Sequence, residues 1–200
     1  MGDNKDELFP LTDDKGYIKG HITRKEAHGG GGHIHPVVHL HVFNTKGELY
    51  LQQRPEWKDI QPGKWDTAVG GHIDYDECYG DDGTLLPSLF APSDDNREAP
   101  AENCPIKKAL RREVREELGI LDFKPVFLGF YLFKSGRERE LVFVFHTVYD
   151  GVVKPNEDEL SGGRFWTAEE LTENMGRGVF TPNFENEYKN WIEHRKTTQR

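Results

Sequence analysis

Cysteine is nearly absent from this chain: Cys78 and Cys104 are the two in 200 residues. A pair of thiols makes no disulfide framework, which excludes the stapled scaffolds of small secreted proteins. Long apolar runs are missing too, since none approaches the roughly 18 residues of a membrane-spanning helix. The opening MGDNKDELFP has neither the basic nor the apolar region of a signal peptide. Asp6 breaks the myristoylation pattern after Gly2, which wants Ser or Thr there. Positive charge is in deficit, with 26 Lys and Arg against 35 Asp and Glu and a net charge of −9. That balance argues against nucleic acid or an anionic membrane as main partner. The expectation is a cytoplasmic protein of one domain with additions, whose 35% hydrophobic residues suffice for a core.

Residues 1–32 are polar and end in HGGGG, read as an N-terminal arm closed by a flexible joint, with YIKGHITR as a short strand within it. HPVVHLHVFN and LYLQQR, joined by NTKGE, give a hairpin signal. KWDTAVGGHI reads as one further strand, in which Gly70 and Gly71 allow close backbone approach. Residues 78–104 then change to Asp, Pro, Gly and Ala around one apolar patch, Leu85, Leu86, Leu89 and Phe90. A structureless loop of that length is uncommon inside a domain, so the segment reads as an insertion. Two β-rich runs, FKPVFLGFYLFK and ELVFVFHTVY, follow the next helix; GRFWT is a strand, and AEELTEN and NFENEYKNWIEHR are helices. Strands and helices mix without βαβ alternation, which favours an α+β fold with a mixed sheet between helices.

The chemistry concentrates in ALRREVREELGI, Ala109 to Ile120. Pro105 suits a first helical turn, and Gly119 suits the residue that ends it. Ile106, Leu110, Val114 and Leu118 recur every four residues as a core stripe. At 100° per residue, Glu113, Glu116 and Glu117 share one narrow sector beside that stripe. Like charges so placed cost an isolated helix roughly 0.2–0.5 kcal/mol per pair, so an arginine or a cation should compensate. Arg112 adjoins the sector, whereas Lys107, Arg111 and Arg115 point elsewhere and serve solubility. The bland alternative is a surface helix of neighbouring ion pairs.

From Arg112 the pattern Arg-Glu-apolar-x-Glu-Glu-x-Gly-apolar, with Gly71 followed by Glu77 upstream, resembles the Nudix box of the Nudix hydrolases. The pattern stands its first glutamate seven residues before the arginine; here 34 residues intervene, so about 27 are extra. Either the insertion follows Glu77 directly, or Cys104 occupies the glutamate position and Glu77 is unassigned. LQQRP, PGKWDTAVGGH and FTPNF resemble the branch near isopentenyl diphosphate isomerase.

The resemblance implies a Nudix fold over residues 33–200, with the box interrupted by the 78–104 insertion. It implies Mg²⁺ or Mn²⁺ held by Glu113, Glu116, Glu117 and the Gly70 carbonyl, with Arg112 orienting the glutamates. The implied reaction is cleavage of a diphosphate linkage in a nucleoside diphosphate derivative by water attack at phosphorus. Its partner is then a small-molecule diphosphate, with Arg54, Gly71 and His72 on the substrate. General-base candidates are Glu138, Glu140, Glu157 and Glu159, with Glu140 first because it begins a strand. Trp57, Trp65, Tyr131 and Phe133 could stack on a base, although aromatics in β runs are more often core.

Two alternatives stand beside hydrolysis. An isomerase of the related branch uses a cysteine where this chain has Gly70, and a second metal site at His35, His72, Glu138 and Glu140 is conceivable. The other alternative is a non-catalytic nucleotide-binding module. His39 and His41 read as strand residues on alternating faces. Cys78 and Cys104 bracket the insertion and should lie near one another as thiols, and the insert itself is a candidate lid. Substrate identity and oligomeric state, a possible homodimer included, stay open.

Overall fold

Ile34–Phe43 (β3) sorts its side chains by the two-residue period of a strand: Val38, Leu40 and Val42 enter the main core, while His35, Val37, His39 and His41 take the other face. In the computed structural model, residues 4–58, 60–90 and 99–192 are described. β3 pairs in parallel over its whole length with Arg139–Val148 (β8), which pairs antiparallel with Val126–Lys134 (β7). On its other side β3 meets Leu49–Gln53 (β4) at one end and Val69–His72 (β6) along its middle, Val37 to Leu40. Trp65–Asp66 (β5) and Gly163–Trp166 (β9) complete this seven-stranded mixed sheet through β4.

Helices cover both faces, so the fold is the α+β sandwich expected. Pro105–Leu118 (α2) lays Ile106, Leu110, Val114 and Leu118, all fully buried, on Val38, Leu40, Phe143 and Phe145. Burying each such side chain contributes about 1.5–3 kcal/mol. On the opposite face Ala168–Asn174 (α3) and Pro182–Glu187 (α4), continued by a π-helical turn over Tyr188–Ile192, close a second core. The helix expected over 183–195 runs on into residues that lie outside those described. No helix among the described residues is long and apolar enough to cross a membrane.

Three expectations need correction. KWDTAVGGHI is two strands, because Asp66 accepts the Thr67 N–H at 2.9 Å and Thr67 Oγ1 donates to the Leu40 carbonyl at 3.0 Å. Those bonds carry the chain from β4 to β3 as its partner. Lys107 does not serve solubility: it is 9% exposed, with Nζ 5.4 Å from the centre of the Phe145 ring, so its stem packs as core. The arm is folded: Leu8–Thr12 (β1) and Ile18–Thr23 (β2) pair antiparallel, and Arg24–Ala27 (α1) follows. Gly30 and Gly32, at φ 81° and 72°, turn the HGGGG segment, and the Gly30 N–H is fixed to the Arg137 carbonyl at 3.0 Å.

The insertion is also anchored. Leu89 and Phe90 are buried in the main core, and Leu86 is nearly so, while Leu85 stays exposed. The Leu89 N–H donates to the Gly16 carbonyl and the Ile18 N–H to the Pro87 carbonyl, each at 3.0 Å, which ties the insert to the β1–β2 hairpin. Residues 91–98 of the insert lie outside those described. Cys78 and Cys104 are free thiols buried in the same core cluster.

Candidate active site

The buried stripe of α2 fixes which way its acids point. With Val114 and Leu118 inward, Glu113 and Glu117 fall at the seam between α2 and β6. A β-carbon on Gly71 would collide with the Glu113 side chain, so only glycine lets the helix come this close. Glu117 is 8% exposed and accepts from Gln52 Nε2 at 3.4 Å, with the Gly70 backbone favouring its charged form. Glu116 is half exposed beside them.

Arg112 ties the acids together. Its Nη1 donates to Glu113 at 2.8 Å, its Nε and Nη2 to the two oxygens of Glu77 at 3.0 and 3.2 Å, and Nη2 also to the His72 carbonyl at 2.9 Å. Glu77 therefore takes the arginine, and the insertion begins directly after it. Cys104 stands at the N-cap position of α2 with its thiol buried in the core, away from Arg112, which removes it as the alternative. Burial pushes the Glu113 carboxyl up to about 7 against the pull of Arg112. Burial, then repulsion from Glu113, raises Glu117 well above the ordinary range. Such a cluster is costly when charged and unneutralised.

A second cluster stands across β6. Ligand atoms of His28, His35 and His72 lie within 4.8 Å of one another, as do those of His35, Glu138 and Glu140. His35 is fully buried, and neither ring nitrogen has a hydrogen-bond partner. Burial holds its imidazole neutral, down to about 3. An orphaned neutral imidazole beside two carboxylates suits a transition-metal ion, whereas the all-carboxylate set on α2 suits Mg²⁺ or Mn²⁺. Phe9 of β1 stacks on His72 at 4.2 Å and 3° between planes, so the arm forms a wall of this cluster. Sequence reasoning missed His28. It stands in a glycine run with no periodicity, and the glycine turns that bring it over β3 leave no pattern to read.

Except for fully buried His35, which lies behind its wall, the two clusters line one cleft of about 980 Å³, together with Arg54, His39, Glu159 and Phe133. Arg54 is partly spoken for: Nε and Nη2 donate to the Ile60 carbonyl at 3.1 and 3.0 Å, and Nη1 is 3.4 Å from Asp66. Glu140 receives Asn183 Nδ2 at 3.4 Å, and burial, then Glu138, lifts its carboxyl to about 7. Glu157 is exposed outside the main cleft. Trp57 is 49% exposed at the rim, while Trp65 packs edge-on against Trp166 in the second core. Tyr131 donates to Glu187. No described residue of the insert lines the cleft, so its described part is a brace and not a lid. His39 and His41 are not on alternating faces: two residues apart, they share one, and both bind Glu187, at 2.6 and 2.7 Å.

The family model described as NUDIX domain matches residues 101–184. Isopentenyl-diphosphate Delta-isomerase 1 of Photorhabdus laumondii is 27% identical over 196 residues, covering 94% of this chain and 96% of its own length. A Nudix hydrolase of Listeria monocytogenes is 29% identical over 155 residues, covering 76% of this chain and 75% of its own. The crystal structure of DR0079 from Deinococcus radiodurans superposes with a TM-score of 0.66 at 19% identity, over 92% of this chain and 99% of that one.

Proposed function

From the membership of this chain in the Nudix family, we propose that it is a metal-dependent hydrolase that cleaves a diphosphate linkage in a nucleoside diphosphate derivative or similar small molecule. Nudix hydrolases generally use divalent metals. The observation that carries the reading is the seam of α2 and β6, where Glu113 and Glu117 are buried as an acidic pair against Gly70 and Gly71. Glu113, Glu116, Glu117 and the Gly70 carbonyl would hold Mg²⁺ or Mn²⁺. A hard cation there supplies charge for the phosphoryl oxygens and lowers the pKa of bound water.

The chain's own groups divide the remaining work. Arg112 fixes Glu113 through a charge-assisted bond while Glu77 fixes Arg112. Arg54, tethered on the cleft wall, presents its guanidinium edge to a phosphate. Glu140, held near neutrality by burial, takes the proton of the attacking water at its carboxylate. Gly71 and His72 shape the floor beside the diphosphate.

The test is a screen of the purified protein with Mg²⁺ or Mn²⁺ against nucleoside diphosphate sugars, dinucleotides, coenzyme A, NADH and isopentenyl diphosphate. Glu116→Gln and Glu117→Gln should each lower metal-dependent turnover at least about 100-fold with the fold intact. A folded variant with undiminished turnover sinks the assignment.

An isomerase reading is favoured by the cluster of His28, His35, His72, Glu138 and Glu140 and by the Photorhabdus relative. Against it, Gly70 has no side chain to move a proton to or from carbon. Isomerisation of isopentenyl diphosphate in the same screen would decide for it.

A further inference from the structure

Glu187 is fully buried, yet three side-chain donors meet its carboxylate. Its Oε1 accepts from His39 Nδ1 at 2.6 Å and from the Tyr131 hydroxyl at 2.7 Å, and its Oε2 accepts from His41 Nε2 at 2.7 Å. Burial alone would raise this carboxyl, but His39 and then His41 hold it far below the ordinary range, so it is an anion. A buried anion needs a cation. The groups facing His39 are Glu187 from α4, Asp66 from β5 and Glu140 from β8, all acidic. Against the opposing effect of burial they lift the imidazole to about 9, with Glu187 the largest of the three.

Only one ring nitrogen of His39 is used by that pair. The ring lines the cleft, and its Nε2 is the atom nearest a β-carbon built on Gly70, at 3.5 Å. Gly70 in turn adjoins Glu117, whose charged form its backbone favours. Nε2–H therefore opens onto the floor of the cleft one residue from the α2 carboxylates, with Glu140 of the second cluster also close enough to act on it. His41 has no such outlet: it is fully buried, and its other nitrogen sits 3.4 Å from Thr67 Oγ1.

We infer that His39, aimed by the buried carboxylate of Glu187, is a substrate-binding residue whose Nε2–H donates to a phosphoryl oxygen lying between the two acidic clusters. Glu187 is the positioning residue, acting through His39. The arrangement answers a problem posed by the cleft itself, whose nine carboxylates, Glu113, Glu116, Glu117, Glu138 and Glu140 among them, outnumber its five Arg and Lys side chains and would repel an anionic substrate. An imidazolium held by a carboxylate outside the cleft supplies one fixed positive donor without occupying a metal ligand. This inference rests on the diphosphate reading of the site.

The experiment uses the whole protein with saturating Mg²⁺ and inorganic pyrophosphate as probe. Histidine-selective ¹⁵N labelling should show the His39 Nε2 resonance moving on titration, with a midpoint equal to the calorimetric Kd. His39→Gln should weaken that Kd at least tenfold, and Glu187→Gln should weaken it while raising KM more than it lowers kcat. Pyrophosphate that binds while the His39 resonance stays still overturns the inference alone, even if Glu187→Gln fails to fold. Wild-type protein that binds no pyrophosphate and cleaves no diphosphate in the screen overturns the diphosphate reading and the inference with it.

Discussion

Arg112 grips both carboxylate oxygens of Glu77, 35 residues away in sequence, at 3.0 and 3.2 Å. The box is thus closed in space although its sequence is interrupted. Glu77→Ala should cost about 10–100-fold in metal-dependent turnover, because Arg112 loses the partner that orients it toward Glu113. Cys104→Ala should leave turnover unchanged. Steady-state rates of the two variants check this, and the opposite ranking would return the box position to Cys104.

The buried acids give the metal-free protein a pH dependence. Burial raises Glu113 and Glu140 to about 7, so the folded state keeps protons that the unfolded chain has already released. Their stabilising contribution is complete below the unfolded carboxylate pKa and is lost as pH rises through about 7. His39, held up at about 9 by Glu187 against burial, adds a loss in the same direction as pH climbs toward 9. Neutral buried His35 and His72 oppose the trend only at about pH 6.5 and below, where the unfolded chain takes up protons. Urea unfolding in chelator should therefore show stability falling between about pH 6.5 and 9 as His39 gives up its proton, by on the order of 1 kcal/mol per pH unit, the losses from Glu113 and Glu140 being nearly complete by about pH 7. A flat or rising profile contradicts it. Mg²⁺ should raise Tm more at about pH 8 than at 6, since its ligands must be deprotonated.

Two adjacent glycines should respond differently. Gly71→Ala puts a methyl group into the Glu113 side chain, and the carboxylate must leave its place. Gly70→Ala meets only ordinary contacts, the nearest being His39 Nε2 at 3.5 Å. Isothermal titration with Mn²⁺ should show binding lost or weakened at least tenfold for Gly71→Ala and kept within about threefold for Gly70→Ala. Equal affinities for the two would remove Glu113 from the metal site.

Phe90 tests the insertion. It is 1% exposed and meets Phe130 and Phe143 edge-on at 5.3 and 5.4 Å. Phe90→Ala should cost about 3–5 kcal/mol of stability with kcat and substrate preference unchanged below the transition. Thermal melts and kinetics on the same preparation decide the point. A shift in substrate preference without loss of stability would make the insert a lid after all.

How far the sequence could be read depends on which features are periodic. The stripe of Ile106, Leu110, Val114 and Leu118, the cap at Gly119 and the shared sector of Glu113, Glu116 and Glu117 are set by 100° per residue. All of them are found in α2. The hairpin of β3 and β4 follows equally from alternation and a turn. Lys107 shows the limit, since its place on the helix wheel says nothing of the Phe145 ring that receives its stem.

What the sequence alone determined is the identity of the chemistry: a crowded acidic helix beside a Gly-Gly strand, with arginine at hand. Only the tertiary structure decided which residues serve it. Glu77 and not Cys104 meets Arg112, His28 joins His35 and His72 through glycine turns at positive φ, and Glu187 reaches His39 across 148 residues. The reason is physical: local periodicity fixes the direction in which a side chain leaves its own element. Which distant surface waits there is set by chain closure and by the burial of both cores together, and no spacing along the chain records it.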